Sequence, residues 1–240
     1  MLYVARSLRE SKEKLGLPSF IHRVYTEAFN EKAPLQGMYT SNWKRYNRHQ
    51  DGTPVPESLR LPAQLLLVCK GVKRFNPDFF SDSPIEWLVS AEFRAFLQQH
   101  RLLEGHYEES ALTVLSDKNK PIADKQYYLL RLIHNDNALI DFAQTPTVVS
   151  TQKPLTKHTP PKVYYPDLVF RQGVTAPPLF FLDDPSYWYS FICNEDIKAA
   201  MEQEQFLGIN FYTLEAYVQD ALYREKYPLG PPSDRPKPLP

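Results

Sequence analysis

The sequence predicts an α+β fold: mixed, mainly antiparallel sheets with amphipathic helices, arranged around two pseudo-repeated strand–helix–strand units. Three observations carry this. The stretch from Trp87 to Tyr107, WLVSAEFRAFLQQHRLLEGHY, superposes on Phe191 to Phe211, FICNEDIKAAMEQEQFLGINF, with Ser90 on Asn194, Phe93 on Ile197, Phe96 on Ala200, Leu97 on Met201, Leu102 on Phe206 and Leu103 on Leu207. Between the copies lies QYYLLRLI, in which Tyr127, Leu129, Arg131 and Ile133 share one face of a strand and Tyr128, Leu130 and Leu132 the other. Finally, 240 residues with 13% aromatics, 22 prolines and only 8 glycines describe a folded chain with many rigid connections.

The physics of the repeated unit is the same in both copies. An apolar triplet ends at Ser90 or Asn194, whose side-chain oxygen can accept from the first free amides of a helix. Glu92, or Glu195 and Asp196, then lies in the first turn, where the helix dipole favours negative charge. A glycine, Gly105 or Gly208, is expected to supply the left-handed helix exit, although the two glycines fall one residue out of register. Two unrelated strand–helix turns of a mixed domain would look similar.

Taken in order, Leu2 to Ala5 reads as a first strand, and Ser7 with Glu10 as a capping box for a short charged helix ending at Gly16. Phe20, Ile21, Val24, Tyr25, Ala28 and Phe29 recur at intervals of one and three and predict a second helix. From Asn30 to Pro62 the pattern lapses into a long polar excursion with turn signals at Asp51-Gly52, Pro54 and Pro56, and loops of that length tend to be functional or disordered. Ala63 to Cys69 is an apolar run broken only by Gln64 and reads as a strand buried on both faces. Ala111 to Leu115 and Tyr127 to Ile133 form a hairpin around SDKNKPIADKQ. A short strand is expected near Leu139 to Phe142 and others at Val163 to Phe170 and Pro178 to Leu182. Leu214, Tyr217, Val218, Ala221 and Leu222 define one face of a helix running to about Lys226. Residues 1–226 thus form a single α+β domain, or two lobes, 1–145 and 163–226, joined by the Pro/Thr/Lys-rich loop 146–162; residues 227–240 read as a flexible proline-rich tail.

Several function classes are disfavoured. With 28 basic and 28 acidic residues the net charge is zero, so nothing global directs the chain to nucleic acid or an anionic membrane. The N-terminal MLYVARSLRESKEK lacks the apolar run of a secretory leader, and no apolar run approaches a membrane span, so a cytoplasmic protein is expected. Cys69 and Cys193 sit in apolar runs without a metal or redox spacing and read as small buried hydrophobes. There is no phosphate-binding glycine loop and no GxSxG elbow, and the six histidines are scattered, so no catalytic residue, cofactor or metal is assigned.

Two stretches remain as candidate recognition sites. Trp43-Lys44-Arg45-Tyr46-Asn47-Arg48 interleaves cations and aromatics. Single-strand nucleic-acid binders do this, but so does an exposed loop anchored by its aromatics, and so does a protein-binding surface rich in hot-spot residues. Asp183 and Asp184 precede Tyr187 and Trp188. They suit a turn, a partner contact, or half of an acid/base site.

The series MLYVAR, SPIEWLVSAEFRAFL, QYYLLRLI, NALIDF and YSFICNEDIKAAMEQEQFLGINF resembles the immunity proteins of bacterial polymorphic-toxin and type VI secretion systems, in particular the group that repeats a strand–Ser/Asn–helix element around a YYLL strand. The likeness spans roughly residues 80 to 213, with a weaker N-terminal match; the 30–62 loop and the C-terminal helix and tail depart from it. It implies a non-catalytic protein of interbacterial competition that binds one cognate toxin in the cytosol and occludes its active site, with neither membrane nor nucleic acid as partner. The candidate contacts are Trp43, Arg45, Tyr46, Arg48, Asp183, Asp184, Tyr187 and Trp188. The alternatives are a small-ligand binder or enzyme with a cleft between the repeats holding Asp183, Asp184 or His134, and a nucleic-acid binder acting through residues 43–48.

Overall fold

The computed structural model describes residues 1–7, 23–32, 41–51, 53–152 and 161–226. It is an α+β protein whose chain divides into two compact units. One comprises residues 7–134 and 205–209; the other comprises 1–6, 135–204 and the chain from Asn210 onward. The division falls at His134/Asn135, whereas proline content had suggested the 146–162 segment. The expected capping box beyond Ser7 and the proline-rich tail lie outside the described residues.

The chain starts with β1 (Leu2–Ser7) and continues, in the first of these units, with β2 (Arg23–Thr26), β3 (Gln64–Cys69), β4 (Phe79–Ser83), β5 (Glu86–Ser90), β6 (Tyr107–Ser116) and β7 (Tyr127–Leu132). Strands β2 to β7 form a six-stranded sheet of order β2-β3-β6-β7-β5-β4. Neighbours are antiparallel except β3 and β6, which run parallel from Gln64↔Ala111 to Cys69↔Ser116. The expected 111–133 hairpin is present. Strand β3 lies between β2 and β6, and Leu65, Leu67, Val68 and Cys69 are buried, while Gln64 at its start is exposed.

Two expectations are corrected here. Residues 23–26, predicted within a helix, are strand β2, pairing Arg23↔Cys69 to Thr26↔Leu66. Val24, Tyr25 and Thr26 favour a pleated surface, and β3 would otherwise leave an open edge; apolar pairs one and three apart suit either period, so the tertiary partner decides. The second concerns β4, which carried no periodic signal and forms by hairpin pairing with β5 across a Pro84-Ile85 turn, Ser83↔Glu86.

One face of this sheet buries Leu65, Leu67, Cys69, Leu112, Val114, Tyr127 and Leu129 together with Trp43 and Phe75. Helix α2 (Ala91–Gln99), which follows the short α1 (Arg48–Asp51), brings Phe93 beside Phe79 at 5.5 Å and against Phe206 edge-on at 5.1 Å. The 205–209 segment is tied in by the buried Asp78 carboxylate, which accepts from Leu207 N (2.8 Å), Ser90 Oγ (2.7 Å) and Lys125 Nζ (2.6 Å). Gly208 is obligatory in this contact: its φ is +98°, and a Cβ there would stand 2.6 Å from the Phe79 carbonyl oxygen.

The other unit holds β8 (Val148–Val149), β9 (Val163–Tyr164), β10 (Leu179–Phe180), β11 (Ser190–Asn194), α3 (Glu195–Gln203), β12 (Ile209–Thr213) and α4 (Leu214–Lys226). Its main sheet has the order β10-β11-β1-β12, with β1 and β11 antiparallel from Leu2↔Asn194 to Arg6↔Ser190; β8 and β9 form a separate ribbon. Val4, Phe180, Leu182, Ile192, Tyr187, Tyr212 and Tyr217 are among its core. The strand expected at Leu139 to Phe142 is instead a 3-10 turn, Asn137–Leu139, followed by one bridge, Ile140↔Phe170. Asp141 Oδ1 accepts from the amides of Ala143 and Gln144, and that side-chain turn displaces an extended ladder. Val163 to Phe170 is likewise extended only at β9 and at that bridge.

The 87–107 and 191–211 stretches each adopt strand, cap, helix and strand. Ser90 Oγ accepts from Phe93 N at 3.1 Å and Asn194 Oδ1 from Ile197 N at 3.0 Å. The helix exits differ from expectation, because the left-handed residues directly after the helices are Arg101 (φ +51°) and Gln205 (φ +55°), which fall opposite one another when Ser90 is set on Asn194. After α2 the closing bonds are Leu102 N to Leu97 O (2.8 Å) and Arg101 N to Gln98 O (3.1 Å), the pairing of a Schellman motif, here without glycine.

Candidate partner-binding site

The 41–60 excursion is folded. It comprises a 3-10 turn at Asn42–Arg45, the single turn α1, and a second 3-10 turn at Glu57–Leu59. Trp43 and Tyr46 are buried, only 4% and 7% exposed, and Trp43 Nε1 donates to Glu27 at 3.0 Å. Their rings anchor the segment and offer no face for base stacking. Burial pushes the Tyr46 hydroxyl pKa up and the Lys44 ammonium pKa down. Arg45 is exposed, and Arg48 is half-buried.

What holds the segment in place is Arg131, which lies 2% exposed on β7 on the same face as Tyr127 and Leu129. Its guanidinium donates to Trp43 O and Leu59 O, each at 2.7 Å, so it clasps both 3-10 turns. It also forks onto Glu108 Oε2 through Nε and Nη2, and it stacks over Tyr46 at 4.5 Å. Glu108 is the cross-strand partner of Arg131 on β6, so the sheet register itself sets the ion pair. A planar cation with five fixed donors suits this site, where two carbonyls and a carboxylate converge. Beside it is an open cleft of about 490 Å³, lined by Thr53, Pro54, Val55 and Arg60 from the 41–60 segment and by Glu108, Ile133 and His134 from the sheet strands and their ends. His134 meets His106 edge-to-face at 6.0 Å, a pairing that sequence spacing did not suggest.

The 183–190 turn is built by many separate hydrogen bonds around the Asp184 carboxylate and carbonyl. Asn137 brackets Asp183, with Asp183 N donating to Oδ1 (2.8 Å) and Nδ2 donating to Asp183 O (3.1 Å). Asp184 Oδ1 accepts from Ser186 N (2.8 Å) and its Oδ2 from Tyr165 OH (3.3 Å), while its carbonyl takes the amides of Tyr187 and Trp188. Both aspartates are therefore turn-formers, whatever else they contact. Tyr187 is 1% exposed and sits between Tyr165 (6.1 Å) and Tyr217 (5.9 Å) in a near-parallel stack, its hydroxyl donating to Tyr165 O. Ser186 Oγ donates to Val163 O. On this frame Trp188 stands 38% exposed, its Nε1 3.3 Å from Asp183 Oδ1, and the next residue, Tyr189, is held at φ +69°.

Of the eight sequence-selected residues, Arg45, Arg48, Asp183, Asp184 and Trp188 retain some exposure, while the Trp43, Tyr46 and Tyr187 side chains are occupied internally. The cleft contains His134 and neither Asp183 nor Asp184. Arg131, Glu108, Arg60 and Asn137 were not selected; the available signal was a lone arginine on the apolar face of YYLLRLI. Neither cysteine forms a disulfide and both are buried, and burial pushes the Cys193 thiol up to about 12, which leaves it protonated and inert. Among the described residues there is no cluster of three metal-ligating side chains, and no helix is long and apolar enough to cross a membrane.

Two polar segments are thus held by defined hydrogen bonds on apolar scaffolds. The family model for Immunity protein 43 matches residues 9–229, and the chain belongs to that family: it is an immunity protein of a toxin system, and its implied partner is a toxin. No curated protein matches it.

Proposed function

We propose that this immunity protein binds one cognate toxin of a polymorphic-toxin or type VI secretion system in the cytosol and covers the toxin's active site, acting by occupancy and not by catalysis. The observation that carries the reading, beyond family membership, is Trp188: a large amphipathic ring left exposed on a turn that hydroxyl and amide bonds hold rigid. An exposed indole on a pre-ordered frame costs little further entropy on binding, as hot-spot anchors require. Tyr189, held in a strained left-handed conformation beside it, is the kind of feature that surrounding structure maintains at recognition sites.

The test is co-expression with the product of the adjacent toxin gene. Growth should be rescued, and a catalytically inactive form of the toxin should co-purify as a defined complex in which substrate no longer reaches the active site. A complex that leaves turnover intact refutes occlusion, and failure to protect refutes the pairing.

A further inference from the structure

The 41–60 segment has a property that the anchoring of its aromatics does not require. In a chain of zero net charge, residues 43–60 carry Lys44, Arg45, Arg48 and Arg60 against only Asp51 and Glu57. The acids there are engaged: Asp51 Oδ2 accepts from Asn47 N at 2.6 Å, and Glu57 pairs with Arg60 at 3.1 Å, an exposed pair that contributes little. Glu108, the remaining carboxylate at the cleft, is held by Arg131. Arg45 has no carboxylate partner among the described residues and points its charge into solvent. Arg60 and His134 both line the cleft. Lys44 lies over the Trp43 ring at 5.2 Å and Arg48 is half-buried, so the outward cations are Arg45 and Arg60, the latter exposed although paired with Glu57, and the backbone presenting them is fixed by the Arg131 bonds to Trp43 O and Leu59 O.

We propose that segment 41–60, with the adjoining cleft, is an electrostatic docking platform for an acidic face of the toxin, Arg45 and Arg60 making the charged contacts. This rests on the toxin-binding reading and deepens it by naming the chemistry of the partner surface. Complementary charge of this kind steers encounter and selects partners more than it adds contact area, so its signature is kinetic and salt-dependent.

The experiment measures association and dissociation of catalytically inactive toxin with the full chain, as wild type, as Arg45→Glu/Arg60→Glu, and as Lys118→Glu, a charge reversal at an exposed position in the hairpin turn of the same unit. The double reversal should weaken binding on the order of 10-fold to 100-fold at low salt, mainly through slower association, and the difference should shrink at high salt, while Lys118→Glu stays near wild type. Wild-type binding that the double reversal leaves unchanged overturns the platform alone. No binding by wild type overturns the toxin reading and the platform together. A double reversal that abolishes binding of a single-stranded oligonucleotide while leaving toxin binding intact also overturns it, and assigns the surface to nucleic acid.

Discussion

The 41–60 and 183–190 segments are both polar, both carry a tryptophan, and are fixed by opposite chemistry. The first hangs on one buried charge: Arg131 reaches two carbonyls, a carboxylate and a ring. The second is held by many separate bonds, from Asn137, Ser186, Tyr165 and Tyr187 and to the Asp184 carboxylate, none of which is dominant. A single-ion clasp is specific but brittle, because removing it strands every acceptor at once. A distributed network fails gradually. The fate of the two tryptophans follows the same division: Trp43 is buried as part of the anchor, whereas Trp188 stands 38% exposed while Tyr187 does the anchoring.

The largest expected effect tests the brittle side. Arg131→Met should lower the stability of the six-stranded unit by about 3–5 kcal/mol, since Glu108, Trp43 O and Leu59 O lose a buried partner together. Denaturant unfolding followed by tryptophan fluorescence would show it, and a loss under about 1 kcal/mol would mean that the clasp is redundant. Next is Trp188→Ala, expected to cost about 2 kcal/mol of toxin affinity with a stability change within about 0.5 kcal/mol. Equal losses in calorimetric affinity and in stability would make Trp188 a structural residue.

The distributed side should respond to alkali. The Tyr165 hydroxyl, raised from 10.0 to about 12 by burial and by the nearby Asp184, keeps its proton in the folded state at a pH where the unfolded chain has lost it. Its contribution is therefore complete below about pH 10 and lost as pH rises toward about 12. Urea midpoints should fall over that window, and Tyr165→Phe should flatten the fall; an unchanged slope would remove the hydroxyl from the account. The smallest effect concerns the helix exits. Arg101→Gly should be stabilising by about 0.5 kcal/mol, as relief of left-handed strain is partly offset by the greater freedom of glycine when unfolded. A thermal midpoint that falls instead would show that Arg101 makes a contact worth more than its strain.

Features encoded over a few residues were legible in the sequence. Ser90 and Asn194 act as the expected caps, helix α4 runs over the expected 214–226, and the 111–133 hairpin pairs as its alternation requires. The candidate surfaces were half legible: composition picked out both stretches, but it could not tell that Trp43, Tyr46 and Tyr187 are anchors while Trp188 is displayed. Exposure depends on what the rest of the chain places over a ring, and that is not a local property.

The sequence by itself determined the fold class, the caps and most strand and helix identities, because periodicity and end-capping act within a turn or two of backbone. Tertiary structure alone decided that residues 23–26 are a strand, that β3 and β6 pair in parallel, and that one arginine in an apolar strand clasps a segment more than 70 residues away in sequence. An open sheet edge and a buried charge are resolved only by a partner, and the partner comes from a distant part of the chain.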